Sequence, residues 1–473
     1  MENVTKKFQF GEFFFFTFPI TLQMLLRNIV GITDNFMVGS LGPKYMAGLK
    51  IANSYFFFFL ILLWAFSNAG GIISSQLWGK KDHDGFNKSC GATISVSMIA
   101  GIILSLIIFF ASSLLARIMI DDEEVVKYVA DYLRIISVSF IFTSFNIAIA
   151  TVFSSSGDTK TPFIQQAVTT ILNFILNYLL IFGAFGFPRL TVVGAAISTL
   201  ISVSTGSIVL VFLAISKGKM PSLIYLIKPE IKVIKEMLHL GLPMLGDMFF
   251  WQFAMMVYLK FIGMAGADAV AIYGVVGIFI SVLYLSISGF VSGTGIIVGQ
   301  LIGGGLKGKA YKFSKSALFY SILISLIPSI LLILFSGIIK IEPYYITIKS
   351  VTINVSKILD IPSWFRLSGV IGDSATICLI ILAFRQAFTT ISGMVGSTIR
   401  AGKDALFVLY ISLFGFFLVG LPLTTIAGPV FNLGIVGIFI AISIEDIAKA
   451  ITFLIRFRSK SWLFKSDIKA ITE

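Results

Sequence analysis

Long apolar runs alternate along the chain with short stretches of Gly, Pro or charge. The runs fall at 13–37, 46–76, 92–118, 128–155, 162–185 and 190–215, then at 237–262, 270–301, 313–340, 369–398, 405–428 and 433–456. Each holds about the 20 or more residues that a helix needs to cross a hydrocarbon layer roughly 30 Å thick. None keeps the apolar–polar alternation of a strand along its length, and open backbone cannot face lipid. The pattern therefore predicts twelve spanning helices, with the first run retained as a span because no cleavage signal follows it.

Charge between the runs tests the count independently, because cytoplasmic loops are enriched in Lys and Arg. One alternate set of loops holds Lys6 and Lys7, then Lys80, Lys81 and Lys88, then Lys160, the group from Lys217 to Lys235, the group from Lys307 to Lys315, Arg400 with Lys403, and a tail from Arg456 to Lys469. The other set is acidic or nearly uncharged, with Lys44, the run Asp121 to Glu124 before Lys127, and Arg189. An even number of spans with both termini cytoplasmic satisfies these loops. The exception is the connection 341–368, with Lys349, Lys357 and Arg366, which reads as an insertion.

A fixed offset exposes an internal repeat. Adding 224 carries Pro19 to Pro243, Gly39 to Gly263, Gly42 to Gly266, Ala47 to Ala271, Gly71 to Gly295, Gln76 to Gln300 and Gly79 to Gly303. Further on, Gly157 corresponds to Gly402 and Gly194 to Gly437, so the second half carries the insertion between its third and fourth helices. Six helices per half make the repeats parallel, an arrangement used by transporters that rock two lobes about a central cavity. The expected fold class is an all-α integral membrane protein of twelve transmembrane helices in two pseudo-symmetric six-helix lobes. The lobes are 1–215 and 237–473, joined by a cytoplasmic, interfacial linker at 216–236.

Composition narrows the function. Of 473 residues 57% are hydrophobic and 12% charged, too few charges to cover soluble domains of that length. The net charge of +13 is scattered in short clusters without a nucleic-acid recognition motif, so it reads as charge facing an anionic leaflet. Cys90 and Cys378 are too few and too differently placed for a disulfide framework, and no His/Cys spacing suggests zinc. No Walker A sequence is present, so an ion gradient is the expected power source, worth about 2.3 kcal/mol per charge per 100 mV.

Polar residues inside the spans are the candidates for chemistry. Asp34 sits in TDNFMVGSLG within the first run, where a carboxylate costs roughly 2.5–3.5 kcal/mol at mid-span and is by default functional. Pro19, on the same helix, frees a backbone carbonyl and is the expected hinge. Asn173 and Asn177 stand four apart, so both amides share one face of the fifth helix and point to Asp34 or a bare cation, or serve as interhelical glue. Asn146 and Thr199 are weaker members of the same set. In the second half, Tyr258 stands where the repeat would place Asp34, so the acid is not duplicated there. Asp247 and Asp373 are the expected second polar site, with Lys260 and Arg385 as possible partners, while Glu445 and Asp446 are read as local pairs with Lys449. Gly293, Gly295 and Gly299 lie inside a span and read as helix packing, and Asp121 to Glu124 read as a solvated loop.

At this level the chain resembles the multidrug and toxic compound extrusion (MATE) transporters. The resemblance rests on PITLQMLLRNIVGITDNFMVGSLGP in the first helix, SNAGGIISSQLWGKKD ending the second, GDTKTP after the fourth, NFILNYLLIFG in the fifth, and GIVGIFIAISIEDIAKAITFLIRFRSKSW at the end. It implies two six-helix lobes exchanging H⁺ or Na⁺ for organic cations. Asp34 matches the family's first-helix acid and Asn173 its fifth-helix Asn; Asn177 falls where members carry Asp or Asn, and Trp251 where some Na⁺-coupled members carry Glu. The expected protein is a secondary active multidrug efflux antiporter in the cytoplasmic membrane, acting as a monomer on small organic cations. It needs no cofactor beyond the coupling ion, with Na⁺ held, if used, at Asp34, Asn173 and Asn177. The alternatives are a lipid-linked oligosaccharide flippase, which would need more cations in its spans than Arg27, Lys260 and Arg385, and a membrane-embedded enzyme, which would need paired acidic or His motifs.

Overall fold

The structure, a computed structural model, describes residues 10–336, 345–348, 351–354 and 369–465. Lys6, Lys7, Lys349, Lys357, Arg366 and Lys469 lie outside them. Helix α1 spans Phe10–Gly39, α2 Pro43–Lys80, α3 His83–Met119, α4 Glu123–Ser155, α5 Lys160–Phe182 and α6 Thr191–Ser216. A one-turn α7, Leu223–Ile227, precedes α8 Ile231–Met264, α9 Ala267–Gly303 and α10 Lys307–Ser336. Then come α11 Gly369–Ala401, α12 Ala405–Val430 and α13 Gly434–Ser459. Every expected span meets a helix. Among the described residues, 11 helices are long and apolar enough to cross a membrane. The remaining one, α13, is long enough at 26 residues but carries Glu445, Asp446 and Lys449.

Short polar connections end the helices by identifiable means. The Asp82 carboxylate accepts from Gly85 N at 2.8 Å and starts α3, and Asp122 accepts from Glu124 N at 3.0 Å and starts α4. The acidic loop is therefore more than solvated: Lys44, at the head of α2, reaches Asp122 at 3.2 Å and Glu124 at 2.5 Å. Helix α12 is interrupted by π-helical turns at Gly415–Gly420 and Ile426–Val430, the second containing Pro429, which has no N–H to give to the ladder. Within the inserted connection, Tyr345–Ile348 pairs antiparallel with Val351–Asn354, a four-residue ladder added to an otherwise helical chain.

Two compact units form, Gly11–Leu245 with Gly295–Ala310, and Gly246–Thr294 with the chain from Tyr311 onward. In the first, α2, α3, α4 and α6 close over Leu49, Leu63, Ile108, Leu133, Phe140 and Val192. In the second, Tyr258, Ile262, Val276, Leu379 and Phe439 form the core. Large apolar side chains such as Phe36, Phe110 and Ile208 stay exposed, as they should where lipid is the solvent.

The 224-residue offset reappears as a contact inside the first unit. Gly79 lies directly against the carbonyl of Gln300, and Gly303 lies against the carbonyl of Gln76. Gly79 and Gly303 are repeat mates, as are Gln76 and Gln300, so the crossing of α2 and α9 has the reciprocity of a local two-fold axis. Only glycine permits that approach, because a Cβ on Gly79 would overlap the Gln300 carbonyl oxygen and one on Gly303 the Gln76 carbonyl oxygen.

Candidate functional site

Asp34 is 4% exposed on α1. Its Oδ1 accepts a hydrogen bond of 2.5 Å from Asn177 Nδ2, and the same amide donates to Asn173 Oδ1 at 3.0 Å. Asn173 Nδ2 in turn donates to Thr199 Oγ1 at 3.2 Å. Three helices, α1, α5 and α6, thus converge on one carboxylate through a chain of side chains, all facing inward because a buried amide or acid left without partners would be costly. Asn177 Oδ1 is buried without a hydrogen-bond partner among the described residues.

The α5 row extends beyond the pair predicted from sequence. Gln165, Thr169, Asn173 and Asn177 recur every four residues and all are buried, with Gln165 Nε2 donating to Thr169 Oγ1 at 2.9 Å. The neighbouring Thr170 Oγ1 donates to the Leu26 carbonyl of α1 at 3.3 Å. The same four-residue spacing that picked out the two asparagines would have found this stripe. Asn146 is held apart, since its Nδ2 donates to the Val203 carbonyl at 3.1 Å rather than to the Asp34 group. Helix α1 runs unbroken through Pro19, with the Thr17 and Thr21 hydroxyls bonding back to Phe13 O and Thr17 O around it.

The second unit corrects the expectation for its polar site. Asp247 pairs with Arg400 Nη2 at 2.5 Å and with Ser412 Oγ at 2.5 Å, whereas Asp373 is an exposed residue of the first turns of α11. Arg400 and Asp373 lie 27 residues apart on one helix, roughly 40 Å at 1.5 Å per residue, so the two acids do not form one site. Arg385 does not reach either of them. It donates to Asp446 Oδ2 at 2.6 Å. Lys449 Nζ lies 2.9 Å from both Glu445 and Asp446, as the local pairing expected, and the Tyr258 hydroxyl donates to Glu445 Oε2. Two partly buried cations meet two buried anions, so the cluster is formally neutral. A carboxylate therefore does stand at the repeat position of Asp34, but it is contributed by α13 and held by the tyrosine that replaces the aspartate. Sequence reading missed it because the members are far apart along the chain.

The two repeats also anchor equivalent loops. Asp158, after α4, accepts from Thr161 N at 3.0 Å and from Lys217 Nζ at 2.8 Å. Burial alone would push its carboxyl up, yet the bonds from Lys217 and Thr161 hold it below the ordinary carboxylate value. Asp404, after α11, accepts from Arg456 Nε at 3.0 Å, with Lys465 Nζ 2.7 Å away.

A polytopic bundle whose spans enclose a buried, hydrogen-bonded acid belongs to the class of multi-pass membrane transporters. The MatE family model matches residues 19–179 and 243–341, and the chain belongs to that family, a family of transporters and not of enzymes. Among its relatives, the "Uncharacterized transporter YisQ" of Bacillus subtilis (strain 168) is 24% identical over 456 residues, 96% of this chain and 95% of the relative. The "Probable multidrug resistance protein NorM" of Thermotoga maritima is 23% identical over 449 residues, 94% of this chain and 91% of the relative. A crystal structure of MATE in the bent conformation matches with a TM-score of 0.82 at 19% identity, covering 97% of each chain, a likeness of fold.

Proposed function

We propose that the protein is a secondary active antiporter that expels organic, mostly cationic, compounds from the cell in exchange for H⁺ or Na⁺. The reading places it in the cytoplasmic membrane with both termini inside, and treats 1–215 and 237–473 as lobes joined by 216–236. Relatives named as probable multidrug resistance proteins support the substrate class. The observation that carries the coupling is Asp34, buried in a span with both amide protons of Asn177 committed to it and to Asn173. An acid so placed changes its charge or its counter-ion as it is loaded, and each state favours a different set of partners on α5. Loading by H⁺ removes the negative charge that the Asn177 amide donates to. Loading by Na⁺ would draw on oxygens, and the unpartnered Asn177 Oδ1 is one that it could use. Pro19, with a carbonyl freed on α1, is the place at which that helix would bend. The flippase alternative is weaker because the partly buried Arg385 and Lys449 are already neutralised by Glu445 and Asp446. Proteoliposomes loaded with ethidium, driven separately by a pH or a Na⁺ gradient, test the proposal. Asp34→Asn should insert normally and lose gradient-driven efflux; ethidium extrusion at the wild-type rate in that variant refutes the role of Asp34.

A further inference from the structure

The sixth helices of the two repeats end differently, and the difference leaves a cavity. In the second repeat, Trp462 follows Lys460, the C-cap of α13, by two residues; it is fully buried with its ring and carbonyl over Gly402. In the first repeat, Lys219 follows Lys217, the C-cap of α6, by two residues, and nothing lies within 4 Å of a Cβ built on Gly157, the repeat mate of Gly402. Where one repeat is sealed by an indole, the other holds a cavity of about 490 Å³ whose walls include Glu12, Phe15, Phe16, Asp158, Lys160 and Lys219.

The charges on this wall are unevenly paired. Lys217 and Lys219 both turn to Asp158, at 2.8 Å and 3.8 Å, and one carboxylate cannot neutralise two ammonium groups. Lys219 is confined further by Ser156 Oγ at 3.0 Å and by the Phe153 ring at 5.6 Å. Burial pulls its ammonium below the ordinary value, with Asp158 opposing and Lys217 adding to the depression. Lys160 adds an exposed cation and Glu12 an exposed anion, so the wall carries Lys160 and Lys219 against Glu12 and Asp158, while Lys217, outside the wall, takes the closer contact with Asp158 and leaves Lys219 the poorer share of it. Phe15, 74% exposed on a spanning helix, puts apolar surface beside the charges. A ligand matching this wall carries a phosphate for Lys219 and Lys160, an ammonium for Glu12, and hydrocarbon for Phe15.

We propose that the cavity between the start of α1 and the α4–α5 loop binds the phosphoethanolamine headgroup of a membrane phospholipid. The site is separate from Asp34 and does not depend on the transport reading. Native mass spectrometry of the full chain in detergent micelles, titrated with dihexanoyl phosphatidylethanolamine, tests it. Two variants probe the site: Lys219→Trp fills the cavity as the second repeat does, and Lys219→Gln removes the charge at similar size. Melting curves should show both variants folded. Each should weaken lipid retention about tenfold or more, the scale of one charge-assisted contact. Retention at the wild-type level in a folded Lys219→Gln or Lys219→Trp variant overturns the assignment. Equal retention of dihexanoyl glycerol or dihexanoyl phosphatidylglycerol, or displacement of the lipid by millimolar inorganic phosphate, overturns it too, since headgroup, ammonium or lipid source would then be wrong.

Discussion

Removing one charge from the α11–α13 cluster offers a severe test of how it is held. In the native arrangement Arg385 and Lys449 balance Glu445 and Asp446, and the four side chains are 4–18% exposed. Asp446→Asn keeps the shape but leaves two cations facing one anion in a membrane interior. Asp446 is the acid shared by Arg385 at 2.6 Å and Lys449 at 2.9 Å, so Arg385 loses its ion-pair partner and Lys449 one of its two. Breaking a buried pair from one side costs about 3–5 kcal/mol, because the remaining charge is uncompensated. The double variant Arg385→Met with Asp446→Leu removes one charge of each sign and leaves Lys449 with Glu445 at 2.9 Å. It should recover most of the loss, since replacing a buried pair by apolar groups is often neutral. Unfolding of the purified protein in dodecyl maltoside with increasing SDS measures each stability, and the cycle gives a coupling energy of about 2 kcal/mol or more. A single variant within about 0.5 kcal/mol of wild type, or a double variant no better than the single, would refute the claim that charge balance holds this cluster.

Gly303→Val should abolish monodisperse elution in detergent, as should Gly79→Val, because either Cβ meets a backbone carbonyl that cannot rotate away, whereas Gly308→Ala, with open space around it, should be silent in the same chromatography. Asp158, held below the ordinary carboxylate value, contributes stability that is complete above about pH 4 and is lost as pH falls through its lowered folded value. Asp158→Asn should therefore flatten the acid limb of the stability curve, with a loss of about 1–3 kcal/mol at pH 7 and faster proteolysis near Lys217.

Much of this architecture was legible along the chain because each spanning helix is a local solution: about 20 apolar residues satisfy their own backbone in lipid whatever their neighbours do. The spans and the repeat offset need only such one-dimensional information. So does the juxtaposition of Asn173 with Asn177, since four residues along a helix return to the same face. The tertiary structure decided which faces meet. Tyr258 and Glu445 are 187 residues apart, and Arg385 and Asp446 61, and no local pattern distinguishes those pairs from Asp247 with Asp373, which the fold separates. Helix rotation and crossing select the partners, and inside a bilayer the selection is enforced by charge as well as shape: a buried acid must find a donor wherever the bundle supplies one, so the second repeat met the demand from its last helix when its first had a tyrosine in that place.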